Sequence, residues 1–260
     1  MTILREIIQH KELEVAEAIK CVPMDTLKLS SRPFPMRNFF QAVDQPGLQI
    51  IAEIKRRSPS SGDIQPEADP VQIAREYEEA GAAAISILTD EKYFNGNVEH
   101  LKRVKEAISI PVLRKDFIIS EYQVLESYLA GADAILLIVH ILKPKVLIHL
   151  YQVATELGLS VLVELNSKEQ LKPAQALNPQ IVGVNARNLT TMKTDINRCK
   201  KIFPFLPHLS LKVAESGIST IHDLQFIQKT GYDAALIGTA LMQSSSPGIL
   251  LRSLLKGVRS

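Results

Sequence analysis

Two lysines, an arginine and three glutamates in this 260-residue chain could carry acid–base chemistry, because each stands at or just beyond the end of a short apolar run. Glu53 and Lys55 close the run Leu48–Ile54, and Lys115 follows Ile110–Arg114. Glu164 follows Ser160–Val163, Asn185 and Arg187 follow Ile181–Val184, and Glu215 follows Leu211–Ala214. Ammonium groups that donate protons and carboxylates that accept them are ordinary equipment for general acid–base catalysis. An unpaired charge in a low-dielectric mouth is costly, so such groups are paired or functional. Crowding also shifts pKa values, as acid–base chemistry requires. A structural ion pair explains any one of these residues alone. Their convergence on one rim favours function.

A second set has the composition of an anion site. Ser216 and Gly217 follow Glu215, and Gly238 with Thr239 follows the run Ala234–Ile237. Barrels often hold phosphate with backbone N–H groups from the loops after their last two strands and a short helix N-terminus. Either pair alone reads as a tight turn; both at one rim point to phosphate. The segment Arg56 to Glu67 is long for a strand-to-helix connection. Its Ser58-Pro59-Ser60-Ser61-Gly62 stretch reads as a lid with hydroxyls for an anion, or as a plain surface loop. His10, His100, His140, His149, His208 and His222 have no metal-ligand spacing, so no metal site is expected. His140 reads as a hydrogen-bonded structural histidine near the mouth. Cys199 lies off the rim without an evident base, against a thiol nucleophile.

These residues need a scaffold that brings strand ends together. The apolar runs Leu48–Ile54, Ala83–Leu88, Ile110–Arg114, Ala134–Val139, Ser160–Val163, Ile181–Val184, Leu211–Ala214 and Ala234–Ile237 predict eight strands. Helical patterns separate most of them. Asp69 and Pro70 start one helix and Gly81 stops it. Ser120 with Gln123, and Ser167 with Gln170, have capping-box spacing, while Gly131, Gly158 and Gly231 precede new strands. Alternating strands and helices predict a parallel α/β sheet with both faces covered. Eight units close a (β/α)₈ TIM barrel, and no G-x-G-x-x-G follows the first strand to favour an open dinucleotide-binding sheet. In the first strand Ile51, Glu53 and Lys55 share one face, so Glu53 and Lys55 are predicted to face the axis near the mouth.

The expected organisation is one barrel domain over residues 1–260, with an N-terminal helical extension over 1–47 and the barrel over 48–260. Ile3, Leu4, Ile7 and Ile8 recur at helical spacing, weakly continued by Val15 and Ile19, and predict an added helix packed on the barrel. Pro23, Pro33, Pro35 and Pro46 punctuate an irregular connection. The chain closes soon after the eighth helix, so no fused catalytic domain is expected. A net charge of +2, from 30 basic and 28 acidic residues, gives no footprint for nucleic acid. The longest apolar stretch, Ala134 to Val139, is far short of the roughly 20 residues of a membrane span. Two distant cysteines and a charged N-terminus favour a cytoplasmic protein.

The rim residues and their neighbours resemble the indole-3-glycerol phosphate synthase family. The resemblance is carried by Ala52-Glu53-Ile54-Lys55 with Ser58-Pro59-Ser60, and by Leu113-Arg114-Lys115-Asp116-Phe117. It continues through Leu88-Thr89-Asp90 with Tyr93-Phe94-Asn95-Gly96, Val163-Glu164, and Asn185 with Arg187-Asn188-Leu189. Ala214-Glu215-Ser216-Gly217-Ile218 and Ile237-Gly238-Thr239 complete an ordered set spanning nearly the whole chain. The resemblance implies ring closure of 1-(2-carboxyphenylamino)-1-deoxyribulose 5-phosphate with loss of carbon dioxide and water, without metal or organic cofactor. It makes Lys115 the general acid, Glu164 the general base and Lys55 a second substrate-holding, proton-transferring lysine. Glu53, Asn185, Arg187, Glu215 and Ser216 match orienting positions. Ser58, Gly217, Gly238 and Thr239 match the phosphate environment, and Leu88, Phe94 and Phe117 could pack on the anthranilate ring. The expected partner is a small phosphorylated substrate, bound by a monomer or weak homo-oligomer.

Three positions depart from the family pattern: Ser61 where lysine is common, Asn166 where histidine is frequent, and Ala186 in place of an asparagine. They bear on loop kinetics and substrate affinity rather than on the proposed acid or base. Competing readings of the rim are a sugar-phosphate isomerase, a Schiff-base aldolase using Lys55 or Lys115, and a barrel retained as a scaffold.

Overall fold

In the computed structural model, which describes residues 2–259, the eight predicted runs all form parallel strands of one closed barrel. They are β1 (Gln49–Ile54), β2 (Ala84–Leu88), β3 (Val112–Lys115), β4 (Ala134–Ile138), β5 (Ser160–Leu165), β6 (Ile181–Asn185), β7 (Leu211–Glu215) and β8 (Ala234–Ile237). Neighbours in sequence are neighbours in space, and β8 closes on β1 through the register Gln49↔Ala234 to Ala52↔Ile237. The fold is a (β/α)₈ TIM barrel.

Helices alternate with the strands, preceded by an N-terminal set. They are α1 (Ile3–Cys21), α2 (Met24–Leu29), α3 (Phe39–Val43), α4 (Pro70–Ala80), α5 (Glu91–Phe94), α6 (Val98–Ala107) and α7 (Glu121–Ala130). The remainder are α8 (Pro144–Glu156), α9 (Leu171–Gln175), α10 (Asn197–Ile202), α11 (Ile221–Thr230), α12 (Thr239–Met242) and α13 (Pro247–Arg259). Among the described residues no helix is long and apolar enough to cross a membrane.

Helix boundaries follow local chemistry. Asp69 caps α4 by accepting from Val71 N, Pro70 occupies its first turn, and Gly81 ends it in the left-handed region at φ 99°. The two predicted capping boxes are corrected. Ser120 does cap α7, but the Gln123 side chain accepts from Ile119 N rather than from the cap residue. Ser167 caps nothing, and Gln170 Oε1 bonds Asn166 N. The reciprocal box forms instead at Thr220 and Asp223, where each side chain bonds the other's backbone.

The alternation read from β1 matches its packing. Ile50, Ala52 and Ile54 meet the surrounding helices, whereas Ile51 lies inside the barrel with Ala84, Leu113, Ala134, Leu162, Ile181, Val213 and Ala234. Phe39 and Val43 of α3, both fully buried, join this interior layer and close the end opposite the mouth. Asp133, just before β4, holds the preceding segment in place. Its carboxylate accepts Lys105 Nζ at 2.7 Å, Arg37 N at 2.8 Å and Arg32 Nη2 at 3.2 Å. The N-terminal extension therefore runs from the mouth, along α7, to the bottom of the barrel.

Candidate active site

A cavity of about 380 Å³ opens at the C-terminal ends of the strands. Its lining includes Glu53, Lys55, Lys115, Glu164, Asn185 and Arg187, with Ser58, Ser216, Gly217, Gly238 and Thr239. Leu88, Phe94 and Phe117 also line it, so every predicted site residue but one faces this space. Glu215 is the exception. It is buried at the end of β7 behind Lys115, and does not reach the cavity surface.

Lys115 is the hub of the floor. Its Nζ lies 3.2 Å from Glu215 Oε2, 3.6 Å from Glu164 Oε2 and 3.9 Å from Glu53 Oε2. Lys55 Nζ bonds the other oxygen of Glu53 at 2.7 Å. The geometry follows from the ladder. Glu53 is paired with Ser86, Lys115 with Leu88, Glu164 with Gly183 and Asn185 with Glu215, so these inward positions converge across neighbouring strands.

Burial and charge tune these groups in opposite directions. Burial would lower the Lys115 ammonium, but Glu215, Glu164 and Glu53 together raise its pKa well above the usual lysine range. Burial alone would raise Glu53, yet Lys55 and Lys115 hold its carboxyl below the ordinary value. At Glu215 burial prevails over Lys115, with help from Glu164, and pushes the carboxyl up to about 8. Burial likewise lowers the Arg187 guanidinium, against Glu53, which raises it. With Glu215 protonated near neutral pH, three cations face two carboxylates. That excess suits an anionic ligand.

Two glycines make room for these carboxylates. A Cβ on Gly183 of β6 would overlap Glu215 Oε1, and one on Gly238 would overlap Glu53 Oε1. The glycine at 238 is thus needed by Glu53, in addition to any close approach of an anion. Gly238 leads into α12, whose first residue is Thr239, and Ser216 and Gly217 turn beside it with φ of 66° and 74°. The segment after β1 is not an open loop. It forms a short hairpin pairing Arg57 with Asp63 and Ser58 with Gly62, and presents Ser58, Pro59 and Ser60 to the cavity.

The other wall is apolar. Phe94 and Phe117 stand with ring centroids 6.0 Å apart, near Leu136, Ile138, Leu189 and Leu236. Sequence reasoning missed Ile3, Leu4 and Ile7 of α1, which complete this wall. It also missed Leu189, Met192 and Thr194, carried by a turn after β6 in which Arg187 bridges to Thr194. Gly183 had a readable signal, since glycine inside a strand marks a close approach. His140 corrects its expectation: it is exposed in a 3₁₀ turn and does not line the cavity. Cys199 is buried in α10, away from the mouth. Among the described residues, no group of three or more His, Cys, Asp or Glu is arranged to hold a metal ion.

Of the departing positions, Ala186 is buried, and Asn166 is engaged with Gln170 and, through its carbonyl, with Arg198 Nη1 at 2.7 Å. Ser61 N bonds Ser58 Oγ at 3.1 Å within the hairpin.

A charged mouth of this make-up on such a scaffold defines a (β/α)₈-barrel enzyme. The family model for indole-3-glycerol phosphate synthase matches residues 4–254. The chain belongs to the indole-3-glycerol phosphate synthase family, carboxy-lyases of tryptophan biosynthesis. Relatives of that name include one from Rhodopirellula baltica, 40% identical over 98% of this chain and 99% of the relative. Another, from Geobacillus thermodenitrificans, is 47% identical over 90% of this chain and 92% of its own. Solved structures show the shared fold at low identity. Thiamine phosphate pyrophosphorylase from Pyrococcus furiosus superposes with a TM-score of 0.62 at 18% identity, covering 82% of this chain and 96% of that one. The 3-hexulose-6-phosphate synthase from Salmonella typhimurium gives 0.65 at 15%, over 81% and 98%.

Proposed function

We propose that this chain closes the indole ring of 1-(2-carboxyphenylamino)-1-deoxyribulose 5-phosphate, releasing carbon dioxide and water to give indole-3-glycerol phosphate. The observation that carries this reading is the position of Lys115. Its ammonium lies on the cavity floor beside Glu53, Glu164 and Glu215, between an apolar wall and the turns at Ser216-Gly217 and Gly238-Thr239. The aromatic ring would lie against Phe94, Phe117 and Leu88. The phosphate would be held by the backbone of those two turns and Ser58.

In the first step the ring carbon bearing the carboxylate attacks the ketone carbon, and Lys115 delivers a proton to the ketone oxygen. The carbon–carbon bond to the carboxylate then breaks, carbon dioxide departs, and its electron pair restores the ring. In the last step the new hydroxyl leaves as water with a proton from an ammonium. Glu164 takes the proton from the methylene carbon beside the nitrogen, forming the indole double bond. Lys55, fixed on Glu53, holds the substrate and can return the proton. Asn185, Arg187 and Ser216 orient it, and Glu215 sets the ammonium of Lys115 from behind.

A Schiff-base aldolase fits less well. Imine formation needs a neutral amine, whereas the acidic groups around Lys115 raise its pKa and favour the ammonium form. The two free cysteines fit a reducing compartment, and we place the reaction in the cytoplasm. The test is incubation with the carboxyphenylamino-deoxyribulose phosphate while following indole fluorescence. Absence of an indole product, or covalent trapping of Lys115 by borohydride with a carbonyl substrate, would reject the assignment.

A further inference from the structure

Lys11 lies on the buried face of α1, in line with Leu4, Ile7 and Val15. An ammonium on that stripe is costly to desolvate, and an apolar side chain could pack there without that cost. Its surroundings are specific. Lys11 is fully buried, with Nζ 3.0 Å from Asp90 Oδ2, 3.0 Å from Asp116 Oδ1 and 2.9 Å from Glu14 Oε1.

Each of the two aspartates supports one aromatic wall of the cavity. Asp90 caps α5 by accepting from Tyr93 N at 2.8 Å, and Phe94 ends that helix. Asp116 follows Lys115 directly and accepts from Phe117 N at 2.8 Å. Its other oxygen takes Thr89 Oγ1 at 2.5 Å and Arg114 Nη2 at 3.1 Å. One ammonium therefore joins the helix that carries Leu4 and Ile7 to the segments that carry Phe94, Lys115 and Phe117.

We infer that Lys11 is a positioning residue, clasping α1 over the mouth so that Leu4 and Ile7 form the face against which the substrate's aromatic ring lies. This rests on the ring-closure reading above. Lys11 does not line the cavity and takes no part in proton transfer. Its effect is transmitted through the apolar wall. A buried ion pair used in this way fixes register at a cost in desolvation.

The test uses the full chain and two paired variants. Lys11→Met with Asp90→Asn removes the clasp without leaving the Asp90 carboxylate unpaired, and Leu4→Ala with Ile7→Ala removes the wall while keeping the clasp. Each pair should raise KM by about tenfold, with the pH limits of kcat unchanged, as expected for lost ring binding. Combining all four substitutions should add less than about threefold more, because both pairs act through one wall. Hydrogen exchange should quicken in residues 3–21 of the clasp variant, while the strands stay protected.

A KM within about twofold of the wild type, multiplicative effects in the combined variant, or a displaced kcat pH profile would overturn the inference. Unchanged exchange in α1 would overturn it without reference to substrate. A wild-type chain that gives no indole product would instead defeat the functional reading.

Discussion

The Lys115 ammonium stands 3.6 Å from Glu164 Oε2, with Glu164 buried and Lys115 partly open to the cavity at the ends of β5 and β3. An acid and a base this close can serve the two faces of one small substrate. Lys115→Ala and Glu164→Gln should each lower turnover by about 10²–10⁴-fold, the range of a single acid–base contribution. Melting temperature and phosphate protection should stay near wild type in Glu164→Gln, which keeps the shape of the side chain. Steady-state kinetics beside thermal melts checks this, and near-native turnover in either variant would remove the assigned roles.

Glu215 and Glu164 both face Lys115, yet their substitution should differ. Burial and the neighbouring carboxylate raise Glu215 to about 8, so its neutral isostere resembles the form present at pH 7. Glu215→Gln should therefore cost less than about tenfold in kcat, far less than Glu164→Gln. Stability provides an independent check. A raised carboxyl binds its proton more tightly in the folded state. Its stabilising contribution is complete below the unfolded value of 4.5 and is lost as pH rises toward about 8. The stability of wild type relative to Glu215→Gln should fall across that window in urea titrations. A flat difference from pH 4.5 to 8 would mean that Glu215 is ionised throughout.

Gly183 and Gly238 should resist the smallest enlargement. A methyl group at position 183 overlaps Glu215 Oε1 and one at 238 overlaps Glu53 Oε1, the oxygen that Lys55 holds, so the side chain of Glu215 or Glu53 must move. Overpacking of this type costs about 1–3 kcal/mol, and a shifted carboxylate would also misplace Lys115 or Lys55. Gly183→Ala and Gly238→Ala should each reduce kcat by at least about tenfold, since small misplacements at a reacting centre are expensive. Wild-type kinetics in Gly183→Ala would show that Glu215 can leave its place without consequence.

The parts of this site that were legible in the sequence are those written in local pattern. Eight apolar runs gave all eight barrel strands, and the charges at their ends marked the mouth. Strand ends were read short at Lys115, Glu164 and Glu215, because an apolar run stops at the first charge while ladder pairing continues. The share of α1 in the cavity was not legible. Leu4 and Ile7 make an ordinary packing stripe, and nothing near them in sequence says which end of the barrel it covers. Their partners Phe94 and Phe117 lie about a hundred residues away, as long-range closure of a barrel requires. Lys11 did carry a signal, as a lysine in register with an apolar stripe.

The bottom of the barrel should answer to stability alone. Asp133 gathers Lys105, Arg32 and the backbone of Arg37 and Val112, all away from the mouth. Asp133→Asn keeps the side chain's volume but removes the charge that Lys105 and Arg32 share. Leaving buried cations without their partner should cost about 3–5 kcal/mol of folding stability. Conservation of geometry at the opposite rim means that KM and kcat, measured well below the melting transition, should change by less than about twofold. Urea unfolding paired with kinetics on the same preparation separates the two. A large kinetic defect in a chain that remains folded would show that the anchor at Asp133 is coupled to the mouth, and that α3 does more than close the barrel's lower end.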